Sequence, residues 1–171
     1  MAKIRVLIVD DEPLAREGVH AQLETESDIQ IIGECGDGRS AILAIERDKP
    51  DLVFLDVQMP ELNGFGVLEN IELGAMPIVI FVTAFDQYAL KAFEVHALDY
   101  LLKPFAPDRF SQALSQAREH ISLRKTGKHG EQLLALLRDL KSEKKFLERF
   151  VIKNAGRIFF IKANEICWIE A

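Results

Sequence analysis

Cysteine is scarce in this 171-residue chain: Cys35 and Cys167 are the whole complement, far apart and without a CxxC or Cys/His ligand spacing. Neither a disulfide framework nor a zinc site is therefore expected to organise the fold, and both thiols read as reduced. Histidine is sparse as well. His20, His96, His120 and His129 show none of the HxxxH or HExxH spacings that hold a transition metal. No apolar run approaches the roughly 18 residues that span a bilayer. The opening MAKIRVLIVD lacks the separate basic, apolar and small-residue regions of a secretory signal. A cytoplasmic chain with no membrane partner is the expectation. Repeats and low-complexity segments are missing too, and with 49% hydrophobic and 28% charged residues the composition is that of a globular protein.

Charge is unevenly spread. Residues 1–124 carry 11 Lys and Arg against 21 Asp and Glu, whereas residues 125–171 carry 10 against 6. An acidic body is joined to a basic tail, which fits either a nucleic-acid partner or a solvated face.

The body is built from short apolar runs: IRVLIV (4–9), IQIIGEC (29–35), DLVFLDV (51–57), PIVIFVTA (77–84) and LDYLLKP (98–104). Rich in Val, Ile and Leu and not alternating, they read as strands buried on both faces of a parallel sheet. Segments between them carry helical spacing. Ala15, Val19 and Leu23 lie four apart, Ala41, Ile42 and Ile45 share a face, and Phe110, Ala113, Leu114, Ala117 and Ile121 form one stripe. Five strand–helix pairs predict a doubly wound α/β domain with five parallel strands.

After residue 124 the pattern changes. RKTGKHG (124–130) is a basic break, and EQLLALLRDLKSEKK (131–145) carries a seam of Leu133, Leu136, Leu137 and Leu140 that reads as a linker helix. Two heptads are too few for a coiled coil, so the seam could pack on a neighbouring domain or on a second copy of the chain. Residues 150–171 read as a strand, a turn around Asn154–Gly156, a second strand and a third, all antiparallel. So short a sheet is marginal alone. With Phe150, Ile152, Ile158, Phe159, Phe160, Ile161, Ile166, Trp168 and Ile169 to bury, this tail is expected to be the least stable part.

In a sheet of this kind, sites form beyond the carboxyl ends of the strands. The first run ends in Asp10, Asp11 and Glu12, the third in Asp56, the fourth in Thr83 and the fifth in Lys103 and Pro104. Singly, Asp or Thr at such a place is often a helix cap, and a lone lysine is often a solvated one. Jointly they make a chemical set. Three carboxylates drawn together repel one another unless a cation intervenes. Mg²⁺, with its six oxygen ligands, suits two carboxylates, a carbonyl near Gln58 and water or phosphate oxygens. A carboxylate can also act as a nucleophile towards phosphorus, and phosphoryl transfer then needs positioned groups to neutralise the equatorial oxygens. Lys103 and the Thr83 hydroxyl meet that need.

Asp10, Asp11, Asp56, Thr83 and Lys103, with Tyr100 three residues before the lysine and Met59–Pro60 after the acceptor strand, make the chain similar to the response-regulator receiver family over roughly residues 3–123. The resemblance implies a flavodoxin-like sheet of order 2-1-3-4-5. It implies that Asp56 accepts a phosphoryl group from a sensor histidine kinase, as a switch protein and not as an enzyme. Mg²⁺ is implied as cofactor, bound by Asp11 directly, by Asp10 through water, by Asp56, and by the Gln58 backbone carbonyl. Lys103 would pair with a phosphoryl oxygen, Thr83 would move to bond another, and Tyr100 would follow Thr83 inward as the aromatic switch. The Lys103–Pro104 bond is expected to be cis, and Gln58 and Phe85 are expected to tune water access. FVTAFDQYALKAFEVHALDYLLKPF (81–105) resembles regulators with a LytTR-type DNA-binding output. ERFVIKNAGRIFFIKANEICWIEA (148–171) resembles the opening of that output domain.

The expected organisation is thus a receiver over 1–124, a linker helix over 125–147 and an N-terminal LytTR fragment over 148–171. Promoter DNA would be a partner of a full-length parent and not of this stretch, and a homodimer through the segment 86–106, or release of the 125–145 linker, is a further expectation. Two alternatives share the architecture. An aspartate-nucleophile phosphatase would place a DxDx motif at the end of the first strand, where this chain has Glu12 as the third residue. A flavin binder would need a phosphate-cradling loop where Asp10, Asp11 and Glu12 would repel the phosphate.

Overall fold

The computed structural model describes residues 3–72, 74, 76–125, 149–154 and 157–162. Five strands, β1 (Ile4–Val9), β2 (Ile29–Cys35), β3 (Leu52–Leu55), β4 (Ile78–Thr83) and β5 (Asp99–Leu102), form one sheet of order β2-β1-β3-β4-β5. Each neighbouring pair is parallel. Every residue of β3 and β4 is buried, which requires cover on both faces and explains why these strands are uninterrupted apolar runs. The expected doubly wound, flavodoxin-like α/β architecture is what the chain adopts, although the third and fifth strands are shorter than their apolar runs.

The helices are α1 (Pro13–Glu24), α2 (Gly38–Asp48), α3 (Gly64–Glu69), α4 (Ala89–Glu94) and α5 (Pro107–Lys125), with a 3-10 turn at Asp86–Tyr88 before α4. α1 starts on Pro13, whose missing N–H costs nothing at a helix start. The Asp37 carboxylate caps α2 by accepting from the Ser40 N–H at 2.8 Å. Asn63 caps α3 in the same way through the Gly66 N–H at 2.8 Å. The stripe of Phe110, Ala113, Leu114, Ala117 and Ile121 is buried as its spacing predicts, as are Val19 and Leu23 of α1. On α2 the buried face is Ala41, Ala44 and Ile45, with Leu43 left exposed. Phe110 stacks on Phe54 of β3 at 5.1 Å between centroids, pinning the start of α5 to the sheet.

The chain divides into two compact units, Met1–Arg118 and Glu119–Ala171. In the second, β6 (Arg149–Asn154) and β7 (Arg157–Lys162) pair antiparallel, with Phe150 opposite Ile161 and Ile152 opposite Phe159. This is the expected hairpin. The linker helix with its Leu133–Leu140 seam, the turn at 155–156 and the third strand lie outside the described residues.

Candidate functional site

The parallel register sends the ends of β1, β3, β4 and β5 to one edge. Val9 pairs with Leu55 and Thr83 with Leu102, so the next residues out include Asp10, Asp56 and Lys103. Main-chain bonds fix these exits: Asp10 N–H to the Cys35 carbonyl at 3.0 Å, Asp56 N–H to the Val9 carbonyl at 2.8 Å, and Lys103 N–H to the Thr83 carbonyl at 2.8 Å. The site is therefore held by the sheet itself, with little left to loop conformation.

At this edge, carboxylate oxygens of Asp10, Asp11 and Asp56 all lie within 4.8 Å of one another. Asp10 and Asp56 are buried, at 3% and 6% exposure, and Asp11 is more open to solvent. The Lys103 ammonium donates to Asp10 Oδ2 at 2.5 Å and to Asp56 Oδ2 at 3.0 Å. The second oxygens accept main-chain donors, Glu12 N–H to Asp10 Oδ1 at 3.0 Å and Gln58 N–H to Asp56 Oδ1 at 3.1 Å. One cation thus faces three carboxylates. Burial holds the Asp10 carboxyl above the usual carboxylate range, a rise that its Lys103 bond only partly offsets. Burial alone would lower the Lys103 ammonium, but its bonds to Asp10 and Asp56 outweigh this and hold it above its ordinary value.

The helix-cap reading of these residues does not hold. The residue that caps α1 is Glu12, without a side-chain bond, and the 3-10 turn after β4 is preceded by Phe85, also without one. Thr83 is fully buried, and among the described residues its Oγ1 is the buried side-chain polar atom that has no hydrogen-bond partner. A hydroxyl left so costs on the order of 1–3 kcal/mol. Tyr100 is 1% exposed, with its hydroxyl donating to the Phe85 carbonyl. Its phenol is pushed well above its ordinary value, first by burial and then by the charge of Asp56. The tyrosine already lies inward in this structure, so the inward turn expected of it is not a departure from the arrangement seen. The Lys103–Pro104 peptide is cis.

Three neighbours were not singled out by their sequence. Arg16 donates to the Asp10 carbonyl at 2.6 Å and to Glu34 at 3.2 Å, so α1 carries a second cation beside the acidic edge. Gly64 lies where a Cβ would come within 2.3 Å of the Asp56 carbonyl oxygen, so only glycine lets α3 start against Asp56. Tyr88 accepts a hydrogen bond from the Gln58 amide at 3.2 Å. It borders a cleft of about 370 Å³ that Asp11, Gln58, Met59, Asn63, Phe65 and Lys91 also line. The Gln58–Tyr88 pairing joins residues 30 apart in the chain and has no local sequence signal, while Arg16 and Gly64, six and eight residues from Asp10 and Asp56, sit outside any motif that their spacing announces.

The model of the response regulator receiver domain matches residues 6–115, well over half the chain. The chain belongs to this family. The BtsR transcriptional regulatory protein of Escherichia coli K12 is 38% identical over 168 residues, 98% of this chain, of which the chain spans 66%, just under two thirds. A response regulatory protein of Shewanella oneidensis is 46% identical over 119 residues, 70% of this chain and 50% of its own length. Among solved structures, the response regulatory domain of mrkE from Klebsiella pneumoniae matches with a TM-score of 0.65 and 33% identity, covering 69% of this chain and 98% of that one. A CheX–CheY–BeF3–Mg²⁺ complex from Borrelia burgdorferi matches with a TM-score of 0.61 and 26% identity, covering 66% and 87%. This receiver domain is therefore a signalling switch of two-component systems, a family that is not enzymatic in the ordinary sense.

The donor set of the receiver edge suits the Mg²⁺ that such domains generally use. Three converging carboxylates with excess negative charge offer hard oxygen ligands, and among the described residues no cysteine or histidine joins their group.

Proposed function

We propose that Asp56 is the phosphoacceptor and that the phosphoryl group comes from the phosphohistidine of a sensor histidine kinase. An Asp56 carboxylate oxygen attacks phosphorus, the P–N bond to the donor imidazole breaks, and an aspartyl phosphate remains on the chain. Asp10, Asp11, Asp56 and the Gln58 carbonyl would hold Mg²⁺, which when bound supplies the positive charge that lets phosphoryl oxygens approach this acidic edge. Lys103 turns from its two carboxylates to a phosphoryl oxygen, and the Thr83 hydroxyl donates to another.

The observation that carries this reading is Thr83 Oγ1, buried and without a partner at the edge that Asp56 and Lys103 share. A phosphoryl oxygen on Asp56 is the acceptor it lacks. The CheY relative whose structure contains BeF3 and Mg²⁺ supports the same chemistry. Tyr100, tied to the loop after Thr83 through the Phe85 carbonyl, would carry the event towards residues 86–106 as a shift between two packings.

Downstream, the similarity to BtsR supports transcription control as the output. The LytTR-like segment 148–171 after a 125–147 linker fits a parent that reads promoter DNA through elements outside this stretch, with the receiver over 1–124 working in the cytoplasm and a second copy docking on the 86–106 face. No helix among the described residues is long and apolar enough to cross a membrane.

The test is incubation of the full chain with acetyl phosphate and Mg²⁺, followed by intact-mass measurement. One phosphoryl group is expected, none with a chelator present, and none on Asp56→Asn. Equal labelling of that variant would move the acceptor elsewhere.

A further inference from the structure

The loop after β3 and the turn after β4 flank the acceptor carboxylate, and one side-chain bond bridges them. Gln58 Nε2 donates to the Tyr88 hydroxyl at 3.2 Å. Gln58 is two residues after Asp56 and its own N–H is already engaged with Asp56 Oδ1 at 3.1 Å. The side chain therefore departs from a main chain fixed to the carboxylate, and the Tyr88 hydroxyl sets where its amide lies beside Asp56.

Tyr88 is well placed to decide it. Its ring meets Phe65 of α3 edge-on at 6.1 Å and Phe85 at 6.3 Å between centroids, so two aromatic neighbours restrict the ring that carries the hydroxyl. Phe65 in turn packs on Phe81 of β4 at 4.9 Å and carries the Lys91 ammonium 4.6 Å above its ring. The bond thus joins the acceptor loop to a packed aromatic group, not to a free surface side chain, and ordering it costs less side-chain entropy than an isolated surface pair would. The same turn carries the Phe85 carbonyl that binds the Tyr100 hydroxyl.

We infer that Tyr88 is a positioning residue for Gln58 and that the bridge restrains hydrolysis of the aspartyl phosphate by keeping the Gln58 amide across the water approach to Asp56. In that hydrolysis a water oxygen forms a bond to phosphorus, the bond from phosphorus to the Asp56 oxygen breaks, and inorganic phosphate and the free carboxylate result. The inference rests on Asp56 being the phosphoacceptor.

The experiment loads wild type, Tyr88→Phe, Gln58→Ala and the double variant with acetyl phosphate and Mg²⁺, removes the donor by rapid desalting, and follows the decay of the phosphorylated mass. Tyr88→Phe keeps the ring and its packing and removes only the hydroxyl. Its phosphoryl group should decay about 2- to 5-fold faster than that of wild type, the factor expected of one solvent-accessible hydrogen bond. Gln58→Ala should also decay faster, and adding Tyr88→Phe to it should change nothing further, because the hydroxyl then has no amide to hold. Unfolding midpoints measured alongside should agree across the set, which a purely structural role for the hydroxyl would not give. Decay of Tyr88→Phe at the wild-type rate, or an equal acceleration in the Gln58→Ala background, overturns the inference. A wild-type chain that takes no phosphoryl group overturns the proposed acceptor instead, so the two failures are distinct.

Discussion

The buried carboxylates at two places in the same sheet are treated in opposite ways. Asp99, 1% exposed at the start of β5, is gripped by Arg109 of α5 through both guanidinium nitrogens, at 2.8 and 2.5 Å, and also accepts from the Tyr100 N–H at 2.8 Å. Beyond the carboxyl ends of β1 and β3 in the same sheet, Asp10 and Asp56 share a single lysine, and Asp11 lies close by. The first arrangement has one rigid planar cation for one anion, and its charges and hydrogen bonds close on themselves. The second has three anions and a single flexible lysine bonded to two of them, with Arg16 spent on the Asp10 carbonyl and on Glu34, and a buried hydroxyl beside it that has no hydrogen-bond partner. Burial alone therefore does not mark function. A shortage of cationic partners does, because it costs stability that only a ligand with the missing charge can restore.

The contrast breaks first at the paired end. Arg109→Met would leave Asp99 buried with its charge uncompensated, and removing one partner of a buried pair typically costs about 3–5 kcal/mol. Urea unfolding of the full chain should show that loss at neutral pH, with or without Mg²⁺. A cost below about 1 kcal/mol would mean that water reaches Asp99 and that the pair is no anchor for α5.

The acidic end should respond the other way. In chelator, Asp56→Asn removes one of three mutually repelling carboxylates, so stability should hold or rise. In wild type, a cation that binds only the folded chain stabilises it by mass action, about 1.4 kcal/mol at ten times its dissociation constant. The expected result is a Mg²⁺-dependent gain for wild type, measured by urea unfolding, that Asp56→Asn loses. An equal gain in both proteins would place the metal away from Asp56.

This asymmetry was only half legible in the sequence. The acidic end could be read because a parallel sheet delivers strand ends to one edge, and Asp10, Asp56, Thr83 and Lys103 each follow an apolar run. Asp99 sits inside such a run, in LDYLLKP, and nothing local reports that Arg109, ten residues on and across a turn, reaches back to it. α3 was equally hidden. Six residues long and holding Gly64 and Gly66, it has no apolar period, and its glycines answer to close approach of the Asp56 carbonyl and the Leu62 side chain. Gln58 was legible by its place two residues after Asp56, whereas its partner Tyr88 was not, since tertiary packing alone brings the two loops together.

The smallest effect belongs to an ion cluster at the surface, intermediate in its accounting. Arg118 of α5 bonds Asp28 through Nε at 2.8 Å and Nη2 at 2.6 Å, and Glu26 through Nη2 at 2.6 Å. One cation here serves two anions, yet both are open to water, which supplies what the protein does not. The Arg118 bond holds the Asp28 carboxyl below its ordinary value. Its contribution is therefore complete above the unfolded-state pKa of about 3.9 and is lost as pH falls through the lower folded value. Exposed pairs are worth about 0.5 kcal/mol, and Glu26 keeps part of the attraction when Asp28 is gone. Asp28→Asn should thus cost about that much or less near pH 7, and the gap to wild type in urea unfolding should narrow as pH is lowered from about 5 towards 3. A gap that stays constant over this range would mean that Asp28 acts through shape and neutral hydrogen bonding. The rule drawn from the buried sites, that unbalanced charge carries a cost, would then extend to the surface only where solvent is excluded.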